Sequence, residues 1–559
     1  MAIDIDPTST AQEIVGFGAA ITDAVAYCLT SLLDPAVGAN LLKAAFIYAG
    51  LSMARVPMGA ADFSRMNYAL SHELDTSDFC LRDDRPNATC GNDYKLDVLQ
   101  SIVQIQPSLK VLVSAWSAPP SYKHQNFSCT MDRHVIRCTP SKEGEGPPKV
   151  DCKRTVADPA RCLHNGQGEP CPASPNHTYS KGFPLEDTMR SAYNPKNIPM
   201  KNADGNCYHS GFVREDAYQP WAATYAKFVG EYEKAGVRTW GVTAQNEPFT
   251  QTGLWPSNFW TRDGIVEFIN GHLAPALRNQ SSSSSGSSSS GKGTPPPLVF
   301  AYDDQTVGLS SDALQMAIRT NASIDGVAFH WYDSLEGTYE NGEPRASSPI
   351  PFNLPLVGGG ADVKKVYDAF GGSKMLLMSE ACSGYSLGTK FIGPRHGDTG
   401  YAYNLAHDIL WSMRNRASGW ISWNLILDGR GGPNLAGNFV DSPTYVLNRT
   451  HVVLNPSFYY LSHFARNVPS GSKALKGVKV QCNAKHEEYC QYVAFITPQG
   501  NTVVVLTNDE VSTRIVPSFV APTLSKGEGV DMRWWISCGG SVVNGTLPWK
   551  SIQTVVVRC

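Results

Sequence analysis

Two glutamates at the ends of apolar runs are the residues of this 559-residue chain whose type and position best suit catalysis. Glu247 follows the run RTWGVTAQN (238–246) in an Asn-Glu-Pro sequence, and Glu380 ends the run KMLLMSE (374–380). A single glutamate at a strand end is more often a solvated loop residue. Cleavage of a glycosidic bond, however, needs two carboxyl groups that face one pocket, one protonated to assist the leaving oxygen and one ionised to attack the anomeric carbon. We interpret Glu247 and Glu380 as a candidate catalytic pair.

Polar and aromatic residues at or just beyond the ends of the neighbouring runs suit the binding of a sugar. Aromatic rings stack on the C–H faces of a sugar, while carboxyl, amide and imidazole groups bind its hydroxyls. These residues are Asp23, Arg55, Asp62, Trp116, Asn246, Asp303, His330, Tyr332, Trp423 and Asn424.

Some of these residues have a second interpretation. Arg55 either orients the carboxylates or touches the sugar, and His330 is either a substrate contact or a hydrogen-bonded histidine inside the fold. Asp303 and Asp304 more often cap a strand–helix turn than catalyse. Cys382, for which no base is identifiable, is favoured as a buried structural thiol.

Eight short apolar runs alternate with helical patterns between about residues 15 and 425, which predicts an α/β fold built on a (β/α)8 TIM barrel. The runs show no alternation of polar and apolar residues, as expected for strands buried on both faces. They span 16–20, 51–58, 110–117, 238–246, 298–302, 326–332, 374–380 and 418–425. Strands four and seven lie across such a barrel from each other, so Glu247 and Glu380 face one mouth.

The remaining sequence predicts an appended antiparallel β-sandwich. Its short strands, separated by turn residues, are expected at 475–481, 491–497, 502–507, 513–518, 532–537 and 552–558. We place the barrel domain at 10–465 and the sandwich at 1–9 plus 466–559. Two segments interrupt the barrel: a cysteine-rich insertion at 124–218, and a Ser/Gly/Pro-rich loop at 279–297 that is expected to be disordered.

Composition excludes several classes of protein. Lys+Arg number 47 and Asp+Glu 50, a net charge of −3 that argues against a nucleic-acid partner, and no apolar run is long enough for a transmembrane segment. Seven Asn-X-Ser/Thr glycosylation sites, together with 14 cysteines, favour the secretory pathway. The sites begin at Asn87, Asn126, Asn176, Asn279, Asn321, Asn448 and Asn544.

The cysteine spacing favours disulfides over a zinc site, because no C-x-x-C pair is present. Plausible local pairs are Cys80 with Cys90, Cys482 with Cys490, and Cys538 with Cys559. Cys28 and Cys382 are expected to stay free and buried. Six more lie in the insertion, with a connectivity that stays open: Cys129, Cys138, Cys152, Cys162, Cys171 and Cys207.

Nine motifs distributed over the barrel resemble the glucosylceramidases of glycoside hydrolase family 30. They are GFGAAITDA (16–24), RVPMGAADFS (55–64), SAWSAPPSYK (114–123), WGVTAQNEP (240–248), DDQ (303–305), HWY (330–332), SEAC (379–382), WNLILDGRGGPN (423–434) and NFVDSP (438–443). The resemblance implies a retaining β-glycosidase with a (β/α)8 barrel joined to a β-sandwich. It also implies that the substrate is a glycolipid at a membrane surface and that the enzyme works in a lysosomal, vacuolar or extracellular setting. The need for an activator protein stays open.

The resemblance also assigns roles to individual residues. Glu247 corresponds to the acid/base and Glu380 to the nucleophile. The residues implied to hold the glucosyl ring are Asp62, Trp116, Asn246, Trp423 and Asn438, and those implied to line the site are Gln305, His330 and Tyr332, with Arg55 in support. The double-displacement mechanism that follows calls for no metal and no organic cofactor.

Two rival hypotheses stay open. One is a related glycosidase that acts on another β-glycoside, such as a β-1,6-glucan, xylan or β-xyloside, although the runs at 423–434 and 438–443 look more like those of glucosylceramidases. The other is a catalytically silent sugar- or lipid-binding barrel, against which the presence of both glutamates argues.

Two departures from the family pattern lead to further expectations. The insertion 124–218 follows strand three and is expected to form a disulfide-tied lid over the mouth, with an inert surface insertion as its alternative. The chain opens with MAIDIDPTST, which holds one strand with Ile3 and Ile5 on one face and no signal peptide. The expectation is that the natural protein has an upstream segment with a signal and further sandwich strands.

Overall fold

The computed structural model describes residues 1–82, 93–124, 127–132, 135–140, 211–249, 255–283, 295–332, 339–340, 343–344, 359–384, 393–481, 491–508 and 531–559. Residues 141–210 of the insertion, its side chains from His124 to Pro140, and most of the 279–297 loop lie outside this set. The lid and disorder expectations for these segments therefore stay predictions.

Eight parallel strands form the closed barrel that the apolar runs predict. Each strand pairs with the next in chain order, and β8 pairs with β1 to close the barrel. The strands are β1 (Gly16–Ala20), β2 (Met53–Met58), β3 (Lys110–Ala115), β4 (Thr239–Thr243), β5 (Leu298–Gln305), β6 (Gly326–His330), β7 (Met375–Ala381) and β8 (Gly419–Ser422). The predicted (β/α)8 barrel is confirmed, since the strands are buried on both faces as the apolar runs indicated.

Glycines allow two strand pairs to approach closely. A Cβ at Gly18 of β1 would lie 2.1 Å from the backbone oxygen of Met53 in β2, and a Cβ at Gly326 of β6 would lie 2.4 Å from that of Met375 in β7. Any larger residue would force these strands apart. The barrel geometry that aims the site residues therefore depends on these two positions.

Helices follow the strands and pack around the barrel. Three helices begin at a side chain that accepts a backbone N–H: Thr22 from Val25, Thr261 from Gly264, and Asp398 from Gly400. Within the described part of the chain, the α-helices are Asp23–Tyr27, Pro35–Lys43, Lys95–Ile105, Tyr218–Lys234, Arg262–Glu267, Ala274–Ser283, Leu314–Arg319, Gly359–Ala369, Thr399–Arg414 and Pro456–Ala465. Among the described residues, no helix has the length and apolar character needed to cross a membrane.

Two further sheets form the β-sandwich. One has the order Val478–Gln481, Ala2–Ile5, Met532–Cys538 and Ser541–Leu547, and the other Thr10–Glu13, Lys473–Leu475, Tyr492–Ile496, Thr502–Asn508 and Ser551–Val557. Ile3 and Ile5 lie on the buried face, as the sequence indicated. The strand Thr10–Glu13 follows the proposed boundary at residue 10, yet it pairs with Lys473–Leu475 of the sandwich.

The sequence analysis missed a small sheet that comes directly after β8. Its strands are Ile426–Asp428, Thr444–Asn448 and His451–Leu454. The loop between the first two carries Asn438 to the mouth of the barrel. A sheet at this point gives the loop two fixed ends.

The disulfide between Cys538 and Cys559 is present, with 5.0 Å between the Cα atoms. Cys80 is also disulfide-bonded, whereas Cys90, Cys482 and Cys490 lie outside the described residues. Cys28 and Cys382 are free and buried, as predicted. The disulfide joins the end of one sandwich strand to the last residue of the chain.

Candidate active site

Arg55 lies at the centre of the polar network beneath the barrel mouth. Its side chain has no exposed surface, and its guanidinium donates from Nη1 to Oε2 of Glu380 and from Nη2 to Oδ1 of Asn246, the latter at 2.8 Å. The guanidinium carbon also lies 4.8 Å from the ring centroid of Trp116. Of the two interpretations of Arg55, the structure supports the orientation of a carboxylate, because both terminal nitrogens bind protein atoms.

Asp303 does not cap a turn, so that interpretation was wrong. It accepts hydrogen bonds from Arg55 at 2.8 Å, Ser114 at 2.6 Å, Thr243 at 2.7 Å and Ser379 at 2.6 Å, and His330 Nε2 lies 3.1 Å away. Tyr302 and Asp303 adopt φ values of 76° and 58°, where the β5–β6 register shifts. The bulge turns Asp303 into the barrel. Asp304, by contrast, accepts the backbone N–H groups of Gln305 and Phe249, as a turn-holding residue does.

Burial raises the pKa of Asp303, but the charge of Arg55 and the hydrogen bond from His330 outweigh it and hold this pKa well below its usual range. Asp303 is therefore ionised at any pH at which the protein works. Its negative charge balances the buried Arg55, and both groups keep their partners in one geometry.

Glu247 stands just past β4 in a left-handed backbone conformation, with φ 46°. Its Oε1 accepts a hydrogen bond from Gln305 Nε2 at 2.8 Å, and His330 Nδ1 lies 3.3 Å from the same oxygen. Both contacts use Oε1, which leaves Oε2 as the oxygen able to carry a proton. The Glu247 side chain is 14% exposed and is thus the more open of the two glutamates.

His330 bridges the Glu247 and Asp303 carboxylates. Burial lowers its pKa, but the charge of Glu380 and the hydrogen bonds with Asp303 and Glu247 raise it to about 10. The ring is therefore an imidazolium that donates from both nitrogens. These bonds make His330 a hydrogen-bonded histidine inside the barrel, and its contact with a substrate stays a prediction.

One ligand atom each of Glu247, His330 and Glu380 lie within 4.8 Å of one another. A metal ion would need His330 as a neutral ligand, yet both nitrogens of this imidazolium face carboxylates. Arg55 adds a second positive charge on Glu380. The donor set is therefore poorly suited to a cation, and the absence of a metal from the reaction stays a prediction.

Glu380 is buried at the end of β7. Burial raises its pKa above the usual value, while the charges of His330 and Arg55 act in the opposite direction. The acid limb of any activity that needs ionised Glu380 is consequently set by the balance between desolvation and these two cations.

Trp116, Trp423, Asp62 and Asn438 form the wall of the mouth. The two indole rings are stacked with centroids 5.1 Å apart, and Asn438 Nδ2 donates to Asp62 Oδ2 at 2.9 Å. The backbone N–H of Leu435 donates to the Asp62 carbonyl at 2.9 Å, so the loops after β2 and β8 meet here. Burial and the nearby Glu380 charge raise the pKa of Asp62 to about 8.

Tyr332 lies beside His330, with ring centroids 6.2 Å apart, and its hydroxyl donates to Cys382 Sγ at 3.2 Å. The structure thus brings most of the sequence-predicted site residues together, but Asp23 pairs with Lys95 outside this group and Asn424 Oδ1 accepts a hydrogen bond from Thr22 Oγ1 at 2.7 Å. Burial raises the pKa of the Cys382 thiol well above its ordinary value, which agrees with a structural thiol.

The sequence matches the glycosyl hydrolase family 30 TIM-barrel domain over residues 14–132, 198–351 and 361–468. The chain belongs to this family. It is therefore a glycoside hydrolase, and the two glutamates lie in the barrel mouth of a family 30 fold.

Similar proteins include family members with different substrates. The chain is 25% identical to lysosomal acid glucosylceramidase of Mus musculus, over 91% of this chain and 77% of that protein. It is 22% identical to the endo-1,6-β-D-glucanase neg1 of Aspergillus fumigatus, over 90% of this chain and 81% of that one. The crystal structure of SrfJ from Salmonella typhimurium has a TM-score of 0.66 at 20% identity and covers 100% of this chain and 93% of that chain.

Sequence reasoning missed the hydroxyl groups that hold Asp303. Ser114, Thr243 and Ser379 each stand near the end of an otherwise apolar barrel strand, and Ser114 also lies 2.6 Å from Thr243. A buried hydroxyl in such a strand needs a partner, which was the available signal. In this family 30 barrel the partner is Asp303.

Replacing Arg55 by methionine should shift the acid limb of the activity profile to higher pH. Loss of the cation removes a charge that lowers the pKa of Glu380, so burial raises this pKa further and ionised Glu380 is reached only at higher pH. Activity at the optimum should also fall by about 100-fold.

The check is the pH dependence of kcat/KM on a nitrophenyl β-glycoside. Arg55→Lys is the matched control, since it keeps the charge but not the fork that reaches two partners, and it should shift the limb less. An Arg55→Met profile with an unmoved acid limb contradicts the assignment.

The family 30 enzyme should be more stable at pH 5 than at pH 7. Burial, the first cause for each, raises the pKa of Asp304 and Asp441 to about 7 and that of Asp62 to about 8. A carboxyl group whose pKa is raised in the folded state makes its full contribution to stability below its unfolded-state pKa. This contribution is lost as the pH rises from the unfolded-state pKa to the folded-state pKa. Each such group lowers the free energy of unfolding by on the order of 1 kcal/mol per pH unit between these limits.

Asp441→Asn should flatten this dependence, as measured by denaturant unfolding at pH 5, 6 and 7. Both hydrogen bonds that Asp441 accepts, from Tyr445 at 2.7 Å and from the backbone of Arg395 at 3.2 Å, use Oδ1, which asparagine keeps as an acceptor. Asp398→Asn retains a helix cap and serves as the control with an unchanged slope. Equal slopes for both variants would show that Asp441 does not titrate in this window.

Proposed function

We propose that this family 30 enzyme hydrolyses the β-glucosyl bond of glucosylceramide, releasing glucose and ceramide with retention of configuration. The observation that carries the proposal is the approach of Glu247 and Glu380, one oxygen of each lying within 4.8 Å of the other. Retaining glycosidases place their carboxyl groups about 5–5.5 Å apart, whereas inverting ones leave about 6.5–9.5 Å for a water molecule.

In the first step Glu380 attacks the anomeric carbon. A bond forms between this carbon and a Glu380 oxygen as the bond to the ceramide oxygen breaks, and the proton on Glu247 passes to the leaving oxygen. Gln305 and His330 hold Oε1 of Glu247, so the proton leaves from Oε2. Arg55 favours the ionised form of Glu380 and orients its carboxylate.

In the second step water displaces the glucosyl group from Glu380. Glu247 takes a proton from this water, the new bond forms at the anomeric carbon, and the ester bond breaks to return the Glu380 carboxylate. Once Glu380 is esterified, its charge no longer opposes the ionised form of Glu247. Two displacements on one carbon give the β-anomer of glucose.

The hydrogen bonding at the mouth supports recognition of one terminal sugar. Arg55 donates to Oδ1 of Asn246, which leaves the Asn246 amide nitrogen to donate to a sugar hydroxyl, the 2-hydroxyl in this proposal. Trp116 and Trp423 provide stacking surface, and the hydrogen bond between Asn438 and Asp62 joins the loops after β8 and β2 beside them.

The glycolipid substrate and the setting of the reaction come from the glucosylceramidase relative. It is named lysosomal, which fits the greater stability expected at acidic pH. A glycolipid presents its sugar at a membrane surface, so this enzyme works there as a peripheral protein in the secretory or lysosomal system. Turnover of glucosylceramide with and without an activator protein tests whether the enzyme uses one.

A substrate panel tests the proposal. Turnover is measured on glucosylceramide in detergent, on nitrophenyl β-glucoside, β-xyloside and β-galactoside, and on β-1,6-glucan and xylan. The expected result is cleavage of glucosylceramide and the β-glucoside, with β-glucose as the first product by NMR. Preferential cleavage of β-1,6-glucan would instead favour the activity named for the Aspergillus relative.

A further inference from the structure

A second group of buried charges lies outside the barrel mouth, behind the loop that follows β2. Lys95 has no exposed surface, and its Nζ donates to Oδ1 of Asp23 at 2.7 Å and lies 3.3 Å from Oδ1 of Asp93. Tyr232 donates to the other Asp93 oxygen at 2.8 Å. Burying three charged groups costs free energy, and apolar residues in their place would often stabilise a fold equally well. A functional role is therefore a reasonable explanation for this group.

The Lys95 group holds the backbone of residues 59–64. Oδ2 of Asp23 accepts a hydrogen bond from Ser64 Oγ, and Ser64 Oγ in turn accepts the backbone N–H of Ala61 at 2.9 Å. The hydroxyl of Tyr68, which binds Lys95 at 2.7 Å, lies 3.2 Å from the backbone oxygen of Gly59. Both ends of this short loop are therefore tied to one buried ion pair.

Asp62 stands in the middle of the same loop and faces the mouth. Its Oδ2 is bound by Asn438, while Oδ1 is buried and has no hydrogen-bond partner among the described residues. Asn438 is itself on a long loop. The position of Asp62 Oδ1 is thus set by the backbone of residues 59–64, which Asp23 and Ser64 hold on one side and the N–H of Leu435 on the other.

We propose that Lys95 is a positioning residue for substrate, acting through Asp23 and Ser64 on the loop that presents Asp62 to a sugar hydroxyl. The inference rests on the proposed function, since it needs a glycoside whose ring Asp62 binds. Lys95 itself touches neither the substrate nor the two glutamates. A displacement of Asp62 by a fraction of an ångström is enough to weaken its bond to one hydroxyl.

The experiment compares nitrophenyl β-glucoside with its 3-deoxy, 4-deoxy and 6-deoxy analogues. Asp62→Ala identifies the hydroxyl that Asp62 binds, because the analogue lacking it is the one least affected by this variant. Lys95→Met and the milder Ser64→Ala should then lower kcat/KM on the full glucoside by about 10- to 100-fold. On the identified analogue the same variants should change it by less than about threefold.

The control and the contrary outcomes separate this inference from the proposed function. Lys234→Met removes an exposed lysine that pairs with Glu231 and should leave every rate unchanged. If the Lys95→Met variant does not fold, the kcat/KM values of the Ser64→Ala variant alone test the positioning inference. An equal loss on all analogues means a merely structural role and overturns the positioning inference. Absence of wild-type turnover on any β-glucoside overturns the proposed function and the inference with it.

Discussion

A Glu380→Gln variant is expected to lose at least about 10⁴-fold in kcat/KM on every β-glucoside, with dinitrophenyl glucoside affected as strongly as glucosylceramide. Glutamine has nearly the shape of glutamate but no charge to attack the anomeric carbon. The loss is independent of the leaving group because no glucosyl-enzyme forms. Arg55 keeps an oxygen acceptor at this position, so folding should survive the change.

Mechanism-based labelling checks the assignment directly. A 2-deoxy-2-fluoro-β-glucoside with a good leaving group should trap the wild-type enzyme, and peptide mapping should place the sugar on Glu380. The control is the Glu231→Gln variant, in which an exposed glutamate is exchanged in the same way. This variant enzyme should be labelled on Glu380 at the wild-type rate. A label on any other carboxyl group would contradict the assignment of Glu380 as the nucleophile.

Glu247→Gln is expected to separate substrates by their leaving group. Activity on glucosylceramide should fall by about 10²–10⁴-fold, because the ceramide oxygen leaves poorly without a proton. Dinitrophenolate leaves without protonation, so formation of the glucosyl-enzyme from dinitrophenyl glucoside should stay within about tenfold of wild type. The glutamine amide can still accept the hydrogen bond from Gln305.

The second half of the reaction gives the more telling measurement on this variant. Water is no longer deprotonated, so the glucosyl-enzyme should accumulate and produce a burst of dinitrophenolate. Azide needs no base and should restore turnover, with β-glucosyl azide as the product. A variant that loses activity equally on both substrates and does not respond to azide contradicts the acid/base role.

The residues of the barrel and the two glutamates were predictable from sequence for a simple reason. Strands covered on both faces must be apolar throughout, so the eight runs are visible without any knowledge of their neighbours. A polar residue that ends such a run lies at the barrel mouth by topology alone. Glu247, Asn246 and Glu380 could therefore be brought together before any distance was known.

Which polar residues bind one another was decided only by the tertiary structure. Asp303 looked like a capping residue because Asp-Asp after a strand usually is one, but a bulge and two left-handed residues turn it inward. Its partners come from β2, β3, β4, β6 and β7, and no local pattern links them. Such contacts depend on backbone torsions that propensity does not specify.

Long-range pairing accounts for the other differences. Thr10–Glu13 joins the sandwich because Lys473–Leu475 offers it a free strand edge, although the two segments lie at opposite ends of the chain. Lys95 and Asp23 form an ion pair only because the helices Asp23–Tyr27 and Lys95–Ile105 pack side by side. The sequence determined which segments form the apolar barrel strands and which residue types can carry the chemistry, since apolar runs and residue types can be read locally. Partners across the barrel were decided by packing, because a buried charge is stable only where the whole fold supplies its counterion.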